Sequence, residues 1–233
     1  MDINVFASGS SGNAYRISDG NTSLLLDAGI PLKKIQIGCG FAVSSLSGAL
    51  ITHSHGDHTK ACKDLARLGV DIYTSRGTID ACKLEGPRIH EIKALEQFSI
   101  GTFRIYPFDV QHDAPEPLGF LVESVVTGDK LLYFTDTYYI KYTFTGLTHI
   151  MAECNYTLDA IYDSVRKGHI PRELVPRLIK SHMSLEHFID MLKANDLSKV
   201  KQIYLLHLSE NNSREDEFKE AVQRVTGTEV YVC

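Results

Sequence analysis

Residues 53–58 read His-Ser-His-Gly-Asp-His, four side chains able to bind a divalent cation within six positions. His53 and His55 are two apart at the end of the short apolar run 48–52, so a strand there points both to one side. Gly56 lets the chain turn, and Asp57 and His58 are re-aimed at a neighbouring position. Buried imidazoles and carboxylates each need a partner, and one divalent ion satisfies several at once. Four groups in one turn cannot enclose a metal, and a catalytic metal keeps an open position, so further ligands must come from elsewhere. Three residues lie just past apolar runs: His112 after 103–110, Asp136 after 131–134 and His207 after 203–206. Polar residues past the ends of buried strands converge on an edge cleft. Five histidines and two aspartates suffice for two metals that share a carboxylate, ~3.5–4 Å apart, with a bridging hydroxide placed for in-line attack. Histidine-rich ligation suits zinc, and a shared carboxylate also accepts manganese.

Other segments have the chemistry to hold phosphate. Residues 181–186 read Ser-His-Met-Ser-Leu-Glu, and Ser184 is a good N-cap for a helix around 185–194 with apolar Leu185, Phe188, Ile189 and Leu192. A helix N-terminus, a hydroxyl and a histidine together make a phosphate-binding corner. His182 is there either as a donor to the phosphate or leaving group, or as a structural neighbour of the cap. In the loop 8–13, Ser8, Ser10, Ser11 and Asn13 offer donors to a phosphate, unless the loop is a bare hairpin connection. Five basic residues (Arg166, Lys167, Arg172, Arg177, Lys180) face one acid, Glu173, between 166 and 180. That stretch either attracts phosphates or is a solvated helix face.

The elements that must position these residues follow from periodicity. Runs at 2–7, 14–18 and 23–27 read as strands broken by the 8–13 loop and by Asp19-Gly20-Asn21. Residues 57–68 carry helical spacing and end at Gly69. Strands are expected at 103–110, 118–126 and 130–135, with Thr127-Gly128-Asp129 as a hairpin turn. From about Leu158 the pattern turns helical, with strands at 203–207 and 230–232. No linker or repeat separates the halves, so one α/β domain over 1–233 with a two-sheet core and outer helices is the simplest architecture. The chain has 233 residues and a formal net charge of −5, which does not advertise a polyanionic partner. No run approaches the ~18 apolar residues of a membrane span, and the first residues lack the pattern of a signal peptide. The five cysteines are odd in number and far apart, as in reduced thiols, and a cytoplasmic address is expected.

The histidine run, His112, the stretch Phe134-Thr135-Asp136-Thr137 and His207 in Leu-His-Leu-Ser together resemble the metallo-β-lactamase superfamily, in chain order over nearly the whole sequence. That resemblance implies a four-layer αβ/βα sandwich with the site along one edge of its two sheets. It implies that His53, His55 and His112 bind one metal, that Asp57, His58 and His207 bind the other, and that Asp136 bridges them. Leu24-Leu25-Leu26-Asp27-Ala28-Gly29 is similar to the family's early strand, whose aspartate props the histidine loop, so Asp27 is either such a brace or a simple turn residue. Tyr138 departs from the family, where a glycine commonly follows the Thr-Asp-Thr.

Ala7-Ser-Gly-Ser-Ser-Gly-Asn13, the 152–156 stretch Ala-Glu-Cys-Asn-Tyr and the 206–212 stretch resemble the YycJ/WalJ-type nucleases of this superfamily. Glu153 and Asn155 stand either near the site or in a structural role at a strand end. The segment around His182 resembles the extra His-Leu-Ser motif of such nucleases. Only 71 residues separate Asp136 from His207 and 46 separate it from His182, too few for the inserted domain of the RNase J-type enzymes. The gap from His58 to His112 has no Gly/Pro-rich arm like that of RNase Z. The resemblance therefore implies a compact 5′-to-3′ exonuclease, with DNA favoured over RNA, in which Asp57 orients the attacking hydroxide and His182 serves as donor or general acid. A small-molecule hydrolase of thioesters, lactones or cyclic phosphodiesters, an RNA nuclease, and a metal-stabilised binding module are the rival readings. His90, His149, His169 and His187 match no motif and are expected to be ordinary surface or helix residues.

Overall fold

The structure is a computed structural model that describes residues 1–209 and 213–233. Glu210, Asn211 and Asn212, the end of the 206–212 stretch, lie outside the described residues. The chain divides into two compact units, 1–109 with 114–129, and 110–113 with 130–233.

In the first unit, strands β1 (Asp2–Ala7), β2 (Ala14–Ser18) and β3 (Ser23–Leu26) are antiparallel neighbours. Helix α1 (Leu32–Gly38) follows, then β4 (Gly48–Leu50), which runs parallel to β3. The helix expected over 57–68 is two short helices, α2 (Gly56–Thr59) and α3 (Cys62–Arg67). The break is physical: Ala61 N–H donates to Ala28 O at 2.8 Å and Ala28 N–H to His58 O at 2.8 Å. Those bonds to the loop after β3 take groups that a continuous helix would pair internally. The sheet then continues through β5 (Ile72–Thr74), α4 (Arg76–Cys82) and β6 (Ile89–Glu91), with β4, β5 and β6 parallel. Leu25, Ala49, Ile51 and Ile72 pack with Ile35, Leu65 and Ile79 of the helices, forming the core under this sheet. Strands β7 (Phe98–Ile100), β8 (Phe103–Asp109) and β9 (Leu118–Ser124) form a second, antiparallel set. The connection after β9 is longer than a three-residue hairpin turn: Ser124 N–H donates to Asp129 O at 2.9 Å and closes the loop between them.

Asp19 fastens the β2–β3 turn to the antiparallel set. Its carboxylate accepts from Thr102 Oγ1 (2.6 Å), Ser124 Oγ (2.7 Å), Thr22 N (2.8 Å) and Asn21 N (3.0 Å). Burial alone would raise its pKa, but the donors from Thr102, Thr22, Ser124 and Asn21 bring it down to about 2. A folded pKa below the unfolded ~3.9 means that the stabilisation is complete above pH ~4 and is lost as pH falls through about 2. Asp19→Ala is expected to cost about 1–2 kcal/mol at pH 7 and to flatten the stability profile between pH 4 and 2. Urea melts across that range test it, and an unchanged acid limb would contradict the assignment.

In the second unit, β10 (Lys130–Phe134), β11 (His149–Glu153), β12 (Gln202–Leu206) and β13 (Glu229–Val232) are parallel in the order β10-β11-β12-β13. Periodicity predicts no strand at 149–153, and His149, expected at the surface or in a helix, is buried in β11. All five residues of β11 are buried, and a short run buried on both faces has no alternation to reveal it. Helices α5 (Leu158–Arg166), α6 (Val175–Ser181), α7 (Leu185–Lys193) and α8 (Glu215–Thr226) complete the unit. Ser184 caps α7 as expected, its side chain accepting from His187 N, and Thr157 caps α5 likewise. Among the described residues no helix is long and apolar enough to cross a membrane.

Candidate metal centre

The first unit assembles the histidine run against the end of β3. Asp27 follows β3 with φ +55°, a left-handed backbone that costs a non-glycine residue about 1–2 kcal/mol. That turn aims its buried carboxylate at the loop beyond β4. Oδ1 accepts from Thr52 N at 2.8 Å, and Oδ2 lies 2.8 Å from His58 Nδ1. The carboxylate thereby holds the His58 proton on Nδ1 and turns Nε2 outward. Thr52 Oγ1 donates to Asp27 and sits 3.0 Å from His53 Nδ1, which fixes the second ring in the same sense. His53 and His58 ring centres are 4.1 Å apart, and His53 Nε2 lies 3.1 Å from His55 Nδ1. Asp57 Oδ2 is 3.5 Å from His58 Nε2. Gly29 makes this possible, because a Cβ there would meet the Asp57 carbonyl oxygen at 1.5 Å.

Asn13 has a different role from the one expected. Its side chain is buried and accepts from Gly9 N (3.0 Å) and Tyr15 OH (2.9 Å), while Nδ2 lies 3.2 Å from His58 Nε2. Asn13 thus knits the 8–13 loop to the histidine turn and does not face a substrate. Ser8 Oγ lies 2.9 Å from Tyr15 OH, to which it can donate, and only Ser10 and Ser11 of the four loop residues are exposed.

The second unit gathers His112, Asp136, Glu153, His182 and His207. Asp136 follows β10 with φ +45°, and His207 follows β12 with φ +53°, the same left-handed exit that Asp27 makes from β3. Asp136, Glu153, His182 and His207 each place a ligand atom within 4.8 Å of the others. His112 Nε2 lies 3.6 Å from Asp136 Oδ2, and its Nδ1 lies 3.0 Å from the Ser181 carbonyl oxygen, to which it donates. Burial holds His112 below its ordinary pKa despite the Asp136 and Glu153 charges, keeping it in the neutral form that binds metal.

Glu153 organises this set. It is fully buried, and Oε2 accepts from Thr137 N (2.9 Å) and Met183 N (3.2 Å). Oε1 lies 2.5 Å from His182 Nδ1 and 3.3 Å from His207 Nδ1. Burial works to raise its pKa, but the His182 charge and hydrogen bond and the His207 hydrogen bond hold it below the usual value. Burial likewise works against charge on His182, and the Glu153 carboxylate overrides it and raises the imidazole. Asn155 Nδ2 donates to His207 O at 2.7 Å. Of the two roles left open for Glu153 and Asn155, both therefore belong beside the histidines. Sequence patterns do not single out Thr52 and Thr137, whose only signal is their position next to a histidine and an aspartate.

Ser184 is buried, with its oxygen engaged as the α7 cap. The basic stretch 166–180 is largely paired: Arg166 and Lys167 with Asp163, and Arg177 with Asp113 at 2.9 Å. Asp163 precedes the stretch, so its charge does not enter the composition of 166–180. Arg172 and Lys180 are exposed.

The donor set fits divalent ions. In each unit imidazoles and carboxylates are grouped, and ring nitrogens of the histidines are held by Asp27 and Thr52 in the first and by the Ser181 carbonyl and Glu153 in the second, as metal-binding histidines require. Asp27→Asn is expected to weaken metal binding about 10–100-fold while leaving the fold intact. Metal titration followed by inductively coupled plasma analysis would test this, and unchanged affinity would return Asp27 to a turn residue.

Residues 25–208 match the beta-lactamase superfamily domain, and the chain belongs to that superfamily. It is similar to exodeoxyribonuclease WalJ of Streptococcus pneumoniae serotype 2, with 30% identity over 228 residues, 91% of this chain and 83% of that protein. It is similar to exodeoxyribonuclease YycJ of Bacillus anthracis, with 28% identity over 242 residues, 97% of this chain and 89% of that protein. The solved structure of the metallo-β-lactamase fold protein YhfI from Bacillus subtilis matches with a TM-score of 0.76 at 18% identity, covering 99% of this chain and 95% of that one. The fold is the metallo-β-lactamase α/β sandwich, as the resemblance implied, and the chain is a metal-dependent hydrolase.

Proposed function

We propose that this chain is a two-metal phosphodiesterase that degrades DNA from the 5′ end, with zinc or manganese as its ions. The observation that carries the reading is His182, held by buried Glu153 with a ring nitrogen within 4.8 Å of ligand atoms of Asp136 and His207. A fixed imidazole proton donor among candidate metal ligands suits cleavage of a phosphodiester with a poor leaving group. Relatives named exodeoxyribonucleases add support. Following the family pattern, His53, His55 and His112 serve one ion, Asp57, His58 and His207 the other, and Asp136 both. That one family match over residues 25–208 takes in most of both units supports a single working domain.

Divalent ions, when bound, supply Lewis acidity toward the phosphoryl oxygens and a water of lowered pKa as nucleophile. Asp57 orients the attacking water. His182 presents Nε2, because Glu153 holds Nδ1, and from Nε2 it donates a proton to the leaving oxygen as the P–O bond breaks. Ser10 and Ser11, the exposed hydroxyls of the 8–13 loop, contact phosphates. The five free cysteines support a cytoplasmic site of action.

The test is purified protein with Mn²⁺ or Zn²⁺ on end-labelled duplex DNA, single-stranded DNA, RNA and a thioester and lactone panel. Mononucleotides released first from the 5′ end of DNA support the proposal. Thioester or lactone turnover with DNA untouched would make it a small-molecule hydrolase. Retention of DNA without product would make it a binding module. His182→Ala is expected to lower kcat on DNA about 10²–10⁴-fold, with a much smaller loss on a p-nitrophenyl phosphodiester, whose leaving group needs no proton. Equal losses on both substrates would make His182 structural.

A further inference from the structure

Within the second unit a cavity of about 330 Å³ opens beside the His182 segment. The buried Met183 and Met191 line it together with Tyr139 and Tyr142. Lys141 and Asp190 line it as well, and both are exposed. The Lys141 ammonium lies 5.0 Å from the centre of the Tyr142 ring. Two links tie this cavity to the acid–histidine cluster. Met183 follows His182, and its N–H donates to Glu153 Oε2 at 3.2 Å. At the other end Thr137, next to Asp136, donates from Oγ1 to the Tyr139 carbonyl oxygen at 3.0 Å.

We propose that this cavity is the subsite for a nucleobase flanking the scissile phosphate, an inference that rests on the phosphodiesterase reading above. Its volume is that of a small ligand pocket and suits one nucleoside. Two thioethers and two tyrosine rings give a flat, polarisable lining on which any base stacks. Lys141 supplies positive charge for the attached phosphate. Asp190 is an acceptor for an exocyclic amino group, so adenine, cytosine and guanine are held better than thymine. A cavity of two methionines and two tyrosines, with Lys141 and Asp190 among the polar residues at its exposed side, matches an aromatic amine-bearing base linked to phosphate. An acyl chain would leave Asp190 and Lys141 without use.

The experiment compares kcat/KM with Mn²⁺ on single-stranded oligonucleotides that carry either bases or reduced abasic sugars at the two nucleotides flanking the first 5′ scissile phosphate. Bis(p-nitrophenyl) phosphate is run in parallel as a base-free diester. Wild type is expected to favour the base-bearing strand about tenfold, and the Tyr139→Ala/Tyr142→Ala double variant by less than about twofold. Asp190→Asn is expected to reduce the preference for cytosine over thymine at that position. Equal wild-type rates on base-bearing and abasic strands, with bis(p-nitrophenyl) phosphate hydrolysed, would overturn the subsite and leave the phosphodiesterase reading standing. A double variant that keeps the full preference would also overturn it. If neither DNA nor bis(p-nitrophenyl) phosphate is hydrolysed, the phosphodiesterase reading fails and takes the subsite with it.

Discussion

Asp136→Ala and Asp136→Gly are both expected to lose at least about 10²–10³-fold in turnover together with much of the bound metal. The reason lies in how the chain spends energy at this residue. Asp136 leaves β10 with φ +45°, which costs a non-glycine residue about 1–2 kcal/mol, and it places a buried carboxylate 3.6 Å from His112 Nε2 and 3.7 Å from His207 Nδ1. Strain and a buried acid at one position are poor for stability and good for holding cations. Glycine adopts the same backbone without strain, which offsets much of the lost carboxylate contact. The metal-free Asp136→Gly protein is therefore expected to melt within about 1 kcal/mol of the metal-free parent while being inactive. Denaturant melts in EDTA, metal content and rates on a phosphodiester read the three quantities separately. Near-parental activity with full metal content in either variant would remove Asp136 from the centre.

Glu153→Leu is expected to destabilise the metal-free protein by about 3–5 kcal/mol, a large share of a domain's stability. Leucine fills most of the volume but leaves the Thr137 and Met183 N–H groups without their acceptor, and it strips His182 and His207 of the charge they face. Glu153→Gln keeps the shape and one oxygen, so its cost is expected to be about 1–2 kcal/mol. The pair separates volume from charge, and urea midpoints at pH 7 measure both. A Glu153→Leu protein as stable as the parent would show that the carboxylate is not what holds the 137 and 183 loops.

Both variants turn on residues whose legibility in the sequence differed. Asp136 stood out because an acid directly past the apolar run 131–134 has no place in a strand core, and the histidine run stood out by density alone. His112 and His207 were legible for the same reason, and the structure sets all three just past β8, β10 and β12. Glu153 was half-hidden because the strand it ends was not recognised. The basic stretch is less basic than its composition suggests, because Asp163 and Asp113, both outside it in the chain, pair with three of its cations.

What the sequence determined by itself is local chemistry and order: which side chains can bind a cation, where strands end, where Ser184 starts a helix, and a family pattern that runs the length of the chain. These depend on periodicity and on neighbours a few residues apart, which the chain carries wherever it folds. The tertiary structure alone decided which polar groups reach one another. Asn13 was spent on Tyr15 and the histidine turn, Asp27 was aimed at Thr52 and His58 by a left-handed exit from β3, and Glu153 was set against residues 137, 182, 183 and 207. Hydrogen bonds between residues 16 to 54 positions apart leave no trace in spacing, because the register of parallel strands and the angle of each exit fix them only once the sheets have formed.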